Sequence, residues 1–238
     1  MTKLPKGWNI APLGELADTQ LGKMLNRSNQ VGDATVPYLR NVNVQWGRID
    51  MSDVKEMDIY PDEVAKFMAE PGDLLVCEGG ESGRAAIWNG SSAIGIQNAL
   101  HRIRPKADIS SRYLLYYFEW QVKSRMIDHL LSGVTISHFT QEKLRKMLVQ
   151  YPPLEEQERI VETLDDHVSR LDKALAELHE AEHNIELLIE SYRHEVVSGV
   201  YSQGIDGWRH ARLGEIARWG SGGTPQSGNP KYYGGSIP

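Results

Sequence analysis

Between Glu155 and Ser198, apolar residues return at alternating steps of three and four. One series runs Leu164, Leu171, Leu178, Ile185, Tyr192, and the other runs Val161, Val168, Leu175, Ile189, Val196, with Glu182 standing in the second series where an apolar residue is expected. This spacing predicts a coiled-coil seam. Pro152-Pro153 breaks whatever precedes it, Glu155 and Glu156 suit a helix N-terminus, and Gly199 with Gly204 closes the element. A helix of that span runs about 65 Å. It outreaches a domain of about 150 residues, which is only about 30 Å across, so the stripe calls for a partner helix. Glu182 is expected to set register or orientation along that seam.

The formal net charge of -6 argues against a nucleic-acid ligand until it is divided along the chain. Residues 1–150 hold 18 Lys and Arg against 17 Asp and Glu, residues 151–198 hold 4 against 13, and residues 199–238 hold 4 against 2. The acidity therefore sits on the predicted helix, and phosphate contact belongs to the first part. That part carries the local basic clusters Arg102, Arg104, Lys106, Arg112 and Lys143, Arg145, Lys146. The single cysteine, Cys77, excludes a disulfide framework or a cysteine-ligated zinc site within one chain. The opening MTKLPKGW has no apolar signal core, and no run approaches the roughly 20 apolar residues of a membrane span. A cytoplasmic protein with no membrane role is expected.

Self-similarity divides the chain further. GWNIAPLGELA from Gly7 returns as GWRHARLGEIA from Gly207, and Val36-Pro37 has a counterpart in Ile237-Pro238. The offset of 200 predicts a duplicated domain, complete once and begun a second time. Within the first copy, Asp73–Cys77, Ala85–Trp88 and Leu100–Arg104 read as strands between Gly- and Pro-rich turns. Tyr113, Leu114, Tyr117, Phe118, Val122 and Met126 follow helical spacing within Ser110–Leu131, with Ser110 or Ser111 as N-cap. The expected fold class is α+β: a mixed domain over 1–152, a long coiled-coil-forming helix over 153–200, and the truncated start of a second domain over 201–238.

These residues carry a family resemblance. Gly133-Val134-Thr135-Ile136-Ser137-His138-Phe139, Leu144, and the run Tyr151-Pro152-Pro153-Leu154-Glu155-Glu156-Gln157-Glu158-Arg159-Ile160-Val161 closely resemble the junction of target-recognition domain and conserved helix in type I restriction-modification specificity subunits. Pro71-Gly72-Asp73-Leu74-Leu75-Val76 and the Gly-Trp opening resemble the same family. The resemblance implies a non-catalytic subunit whose two tandem domains each read half of a split site in double-stranded DNA, spaced by two antiparallel helices. It implies methyltransferase partners and, with them, motor-nuclease subunits; S-adenosylmethionine, ATP and Mg would belong to those partners, leaving this chain without a cofactor. With its second helix missing, the chain is expected to dimerise so that each long helix supplies the other's partner.

Major-groove reading uses Arg or Lys for guanine and Asn or Gln for adenine, while phosphates accept from cations and backbone amides. The candidates are Lys23, Arg27, Arg40, Asn41, Asn43, Gln45, Arg84, Gln97 and Asn98, with Thr135, Ser137 and His138 from the Ser132–His138 loop. Trp46 and Trp88 are read as core rather than stacking platforms.

Two motifs point elsewhere. His179-Glu180-Ala181-Glu182-His183 matches the zinc-peptidase pattern, yet no third ligand follows it, and the histidines read as solvated flank residues. Tyr151-Pro152-Pro153 has tyrosine where an amino-methyltransferase loop carries Asn or Asp, and no phosphate-binding GxxxxGK[ST] loop is present. A coiled-coil adaptor that does not touch DNA, and a zinc peptidase using His179 and His183, are the alternative functions.

Overall fold

A computed structural model describes residues 4–25, 32, 34–130, 138–198, 211–220 and 222–223. The chain divides into two units, Met1–Leu171 and Asp172–Pro238. The first unit opens with β1 (Asn9–Pro12), α1 (Leu13–Leu16), β2 (Ala17–Leu21), β3 (Thr35–Leu39), β4 (Val44–Gln45), β5 (Arg48–Ile49) and β6 (Lys55–Asp58). Then follow α2 (Val64–Phe67), β7 (Met68–Ala69), β8 (Leu74–Cys77), β9 (Ala85–Ile87), β10 (Ile94–Ile96), β11 (Leu100–Pro105), α3 (Ser111–Lys123), α4 (Gln141–Lys146) and β12 (Leu148–Tyr151). The long helix α5 is Leu154–Ser198, and α6 is Leu213–Ile216. The α+β class and the long helix expected from the sequence are both present.

β8 organises the first unit. Its four residues are all buried, as a strand covered on both faces must be. Alternation sends Leu74 and Val76 into one core with Leu114 and Phe118 of α3, and Leu75 and Cys77 into a second core with Leu39, Ile96 and Trp88. β8 lies inside an antiparallel sheet of order β2-β11-β8-β9. A second sheet, β6-β3-β10-β7, combines a parallel β3–β10 pair with antiparallel neighbours. β1 pairs antiparallel with β12, so the start of the unit is tied to the strand that leads into α5.

α3 begins where the spacing predicts and ends earlier than Leu131. It stops at Lys123, where the Met126 amide bonds to the Gln121 carbonyl and the Arg125 amide to that of Val122, with Arg125 at φ 54°. This is a Schellman ending. Glycine normally occupies its left-handed position, and an arginine there gives the sequence no stop signal. The turn buries Ile127 and leaves Met126 outside the helix, half exposed. Ser110 sits at the N-cap with no side-chain capping bond. Instead its amide donates to Oε1 of Gln157, 3.0 Å away.

Gln157 is fully buried, and its Nε2 donates to the carbonyls of Asp108 and Pro152, both at 2.9 Å. Two turns further along α5, Arg112 and Tyr116 of α3 both bond to Asp165. Val161 is buried against the first core rather than free for a partner, which shortens the seam expected from the sequence. Leu164 is half-buried, and from Asp166 to Val197 every described side chain except the half-buried Glu195 is exposed. The seam residues Val168, Leu171, Leu175, Leu178, Ile185, Ile189 and Tyr192 all lie on that exposed stretch.

In the second unit, α6 repeats α1. The residues preceding the two turns, Pro12 and Arg212, have φ/ψ of -61/140° and -74/143°, and those following, Ala17 and Ala217, have -145/154° and -144/142°. The internal repeat is thus a repeat of backbone as well as of sequence. Leu13 is completely buried, whereas its counterpart Leu213 is 53% exposed. Among the described residues, no helix is long and apolar enough to cross a membrane.

Removing the buried amide of Gln157 strands an amide and two carbonyls. Gln157→Ala is expected to lower unfolding free energy by about 3 kcal/mol, read by urea denaturation; a loss under about 1 kcal/mol would show that the helix root does not depend on it.

Candidate nucleic-acid interface

Residues distant in sequence meet at one end of the β2-β11-β8-β9 sheet. Lys23 forms a bridge with Gln97, and the Asn98 amide donates to the Lys23 carbonyl at 2.8 Å. Ala99, at φ 92°, accepts from the Glu78 amide, which opens the loop Gly79-Gly80-Glu81-Ser82-Gly83. Nδ2 of Asn41 donates to the Gly79 carbonyl at 3.0 Å, and Arg84 donates to the Asn41 carbonyl at 3.0 Å. The Glu78 carbonyl accepts from the Phe139 amide at 2.7 Å, which brings exposed His138 to the same end. Seven of the candidates, Lys23, Arg40, Asn41, Arg84, Gln97, Asn98 and His138, therefore lie on one hydrogen-bonded network or next to it.

Their side chains are not equally available. Lys23 bonds to Glu63 and to the Asp58 carbonyl, and this contact holds the Glu63 carboxyl below its usual range. Arg40 pairs with Asp53, and Arg84 with Glu81 at 3.3 Å. Asn43 is buried and donates to the carbonyls of Asp50 and Asp53, so it is a scaffold residue and not a base reader. Gln45 spends its Nε2 on the Val42 carbonyl. Three buried atoms of the cluster have no partner: Nε of Arg40, Nε of Arg84 and Oδ1 of Asn41. Arg27, Thr135 and Ser137 lie outside the described residues.

The basic run Arg102, Arg104, Lys106 and Arg112 is internal bonding rather than a free basic patch. Arg102 is buried and donates to Asp18 and to the carbonyls of Ala65 and Met68. Arg104 makes two bonds to Asp73, at 2.9 and 2.7 Å, and Lys106 donates to the Glu15 carbonyl. A charge count along a strand cannot separate such residues from phosphate contacts, because the acids that neutralise them come from elsewhere in the chain. Trp88 is core, as expected, while Trp46 is half-buried and donates to Glu81 at 2.8 Å. Sequence reasoning missed exposed Arg48, at the tip of the β4–β5 hairpin; the Trp46-Gly47 step before it is the turn signal that could have found it.

His101 holds this end together from within. It is fully buried, its Nε2 lies 2.7 Å from the Phe139 carbonyl, and burial pushes its pKa down to about 4. Burial also raises the Cys77 thiol to about 11, which makes it an inert core residue. His179 and His183 are exposed on α5, and among the described residues no group of three or more potential metal ligands exists.

A mixed α+β domain with polar residues gathered at one sheet end leads directly into a long helix with an exposed apolar seam. The chain belongs to the type I restriction modification DNA specificity domain family, whose model matches residues 5–183. It is similar to two specificity subunits of Methanocaldococcus jannaschii. One, the putative type I restriction enzyme MjaX subunit, is 22% identical across 97% of this chain and 54% of its own length. The other, the MjaIX subunit, is 22% identical across 99% and 57%. The chain thus spans about half the length of the relatives it matches. Among solved structures, a chain from a type I R-M system studied for complex assembly and conformational transition superposes at a TM-score of 0.60, with 24% identity, over 83% of this chain and 46% of that one. The HsdS subunit from Thermoanaerobacter tengcongensis superposes at 0.56, with 25% identity, over 73% and 41%.

Because His101 is held neutral, its contribution to stability is present above its ordinary pKa of 6.5 and is lost as pH falls from there toward 4. Stability is expected to drop by about 1.4 kcal/mol per pH unit from this residue within that window. Urea denaturation at pH 7.5, 6 and 5 measures the slope. His101→Gln should flatten it, and an unchanged slope would remove His101 as its source.

Proposed function

We propose that this chain is the sequence-reading component of a type I restriction-modification complex: it recognises one half of a bipartite site in double-stranded DNA and docks methyltransferase subunits. It acts in the cytoplasm and contributes no catalysis. S-adenosylmethionine is held by the methyltransferase subunits, and ATP and Mg by motor-nuclease subunits that join them. The observation that carries this reading is the convergence at one sheet end of Lys23, Asn41, Arg84, Gln97, Asn98 and His138. Arg40 and Arg84 support it, since both cations are bonded to carboxylates 65% and 50% exposed. Such surface pairs are worth only about 0–1 kcal/mol, so a phosphate can displace the acid.

The exposed seam of α5 supports self-association, with a second copy supplying the partner helix and two half-site readers held at a set distance. An adaptor that leaves DNA untouched would keep the seam but give no role to the polar cluster.

The deciding experiment is methylation of a random-sequence DNA pool by the cognate methyltransferase subunit with and without this chain, read by sequencing. Chain-dependent methylation at a symmetric split motif is expected; two folded proteins that do not bind each other would overturn the assignment. Arg84→Gln is expected to reduce the slope of log affinity against log salt by about 1, roughly equally for all sequences, with an unchanged slope removing Arg84 from the interface. Leu175→Glu combined with Leu178→Glu is expected to weaken self-association by about a hundredfold or more, seen by light scattering at micromolar concentration.

A further inference from the structure

Glu81 is held from two sides. Its Oε1 accepts from Nε1 of Trp46 at 2.8 Å, and its Oε2 accepts from Nη1 of Arg84 at 3.3 Å. The two bonds are unequal. A guanidinium-carboxylate bond normally closes to about 2.7–2.9 Å, so the Arg84 contact is the longer and weaker hold, while half of the Glu81 side chain faces solvent.

Both ends of the Trp46 bond are fixed by backbone. The Gly47 amide, next to Trp46, donates to the Ala85 carbonyl of β9 at 3.0 Å, which ties the tip of the β4–β5 hairpin to the sheet. Glu81 sits in a turn closed by the Ser82 hydroxyl on the Glu78 carbonyl at 3.0 Å and the Gly83 amide on the Cys77 carbonyl at 2.9 Å. The Arg84 amide closes it further on the carbonyl of Glu81 itself, at 3.1 Å. Gly80 and Gly83 lie at φ 74° and 90°, and a β-carbon on Gly83 would meet Val122 of α3 at 2.6 Å, so only glycine fits that turn.

When a phosphate takes Arg84, Glu81 keeps Trp46 and its Oε2 is left to accept from another donor. In the major groove the donors are exocyclic amino groups, N4 of cytosine and N6 of adenine; guanine and thymine present acceptors, which a carboxylate repels. Adenine sets its N7 acceptor beside the amino group, whereas cytosine presents the amino group alone and is the better match. Every base pair carries one amino base, so the carboxylate distinguishes which strand holds it.

We propose that Glu81, oriented by Trp46, accepts from the exocyclic amino group of a base, cytosine before adenine, and so fixes one position of the half-site as an amino base on the contacted strand. The inference rests on the DNA-reading function above, with Glu81 as the base-contacting residue and Trp46 as its positioning residue. Duplexes bound from a random-sequence pool by the full chain with the cognate methyltransferase subunit are sequenced, for wild type and variants. Wild type should show a position at which cytosine or adenine exceeds guanine and thymine about tenfold or more, and the base enriched identifies N4 or N6 as the donor. In Glu81→Gln, Trp46 still claims the side-chain oxygen and turns the amide nitrogen, a donor, toward the base, so that preference should be lost or inverted toward guanine or thymine. Trp46→Phe keeps the ring and removes the anchor; it should lower the preference severalfold at the same position and leave the other positions and the salt slope unchanged. Loss of a negative charge beside phosphate raises binding to all sequences alike. If Glu81→Gln does only that, or keeps the wild-type preference, the base contact is overturned and the DNA-reading function stands. A wild-type chain that enriches no sequence overturns both.

Discussion

The buried amide of Gln157 is the joint on which the architecture depends. A helix of 45 residues cannot be aimed by its exposed part, where side chains meet only solvent and their own helix neighbours. Its direction is set in the first turns, where Gln157 satisfies the amide of Ser110 and the carbonyls of Asp108 and Pro152. Asp165 adds a second fixed point through Arg112 and Tyr116. Each bond alone is worth about 1 kcal/mol. Two fixed points on one helix set the direction of its first turns within the first unit.

The same economy governs the sheet end where the polar residues gather. Backbone bonds from Glu78 to Ala99 and from Phe139 to Glu78 lock three chain segments against each other, with His101 beneath them. Side chains that resemble base readers in the sequence are partly consumed by this scaffold, Asn43 completely. The cations at the rim, Arg40 and Arg84, keep exposed carboxylates as partners.

Much of the fold was legible in the sequence. The heptad seam, the strands around Leu74–Cys77 and Leu100–Pro105, and the repeat that places α1 and α6 two hundred residues apart all depend on local periodicity or local turn chemistry. The end of α3 was not legible, because Arg125 occupies the left-handed position that glycine would have announced. The loss of Val161 to the core was equally hidden, since a heptad pattern does not record which domain face lies beside its first turn.

The sequence by itself determined the class of the chain, its long helix and a list of candidate polar residues, because composition and spacing are one-dimensional properties. Which of those residues remain available was decided only by tertiary structure. Arg102 and Arg104 read as basic surface until Asp18 and Asp73 are seen to neutralise them from other segments, and Lys23 and Gln97 become neighbours only when β11 returns beside β2 and β8. Charge pairing between distant segments depends on separations in space, and those exist only once the sheets have closed.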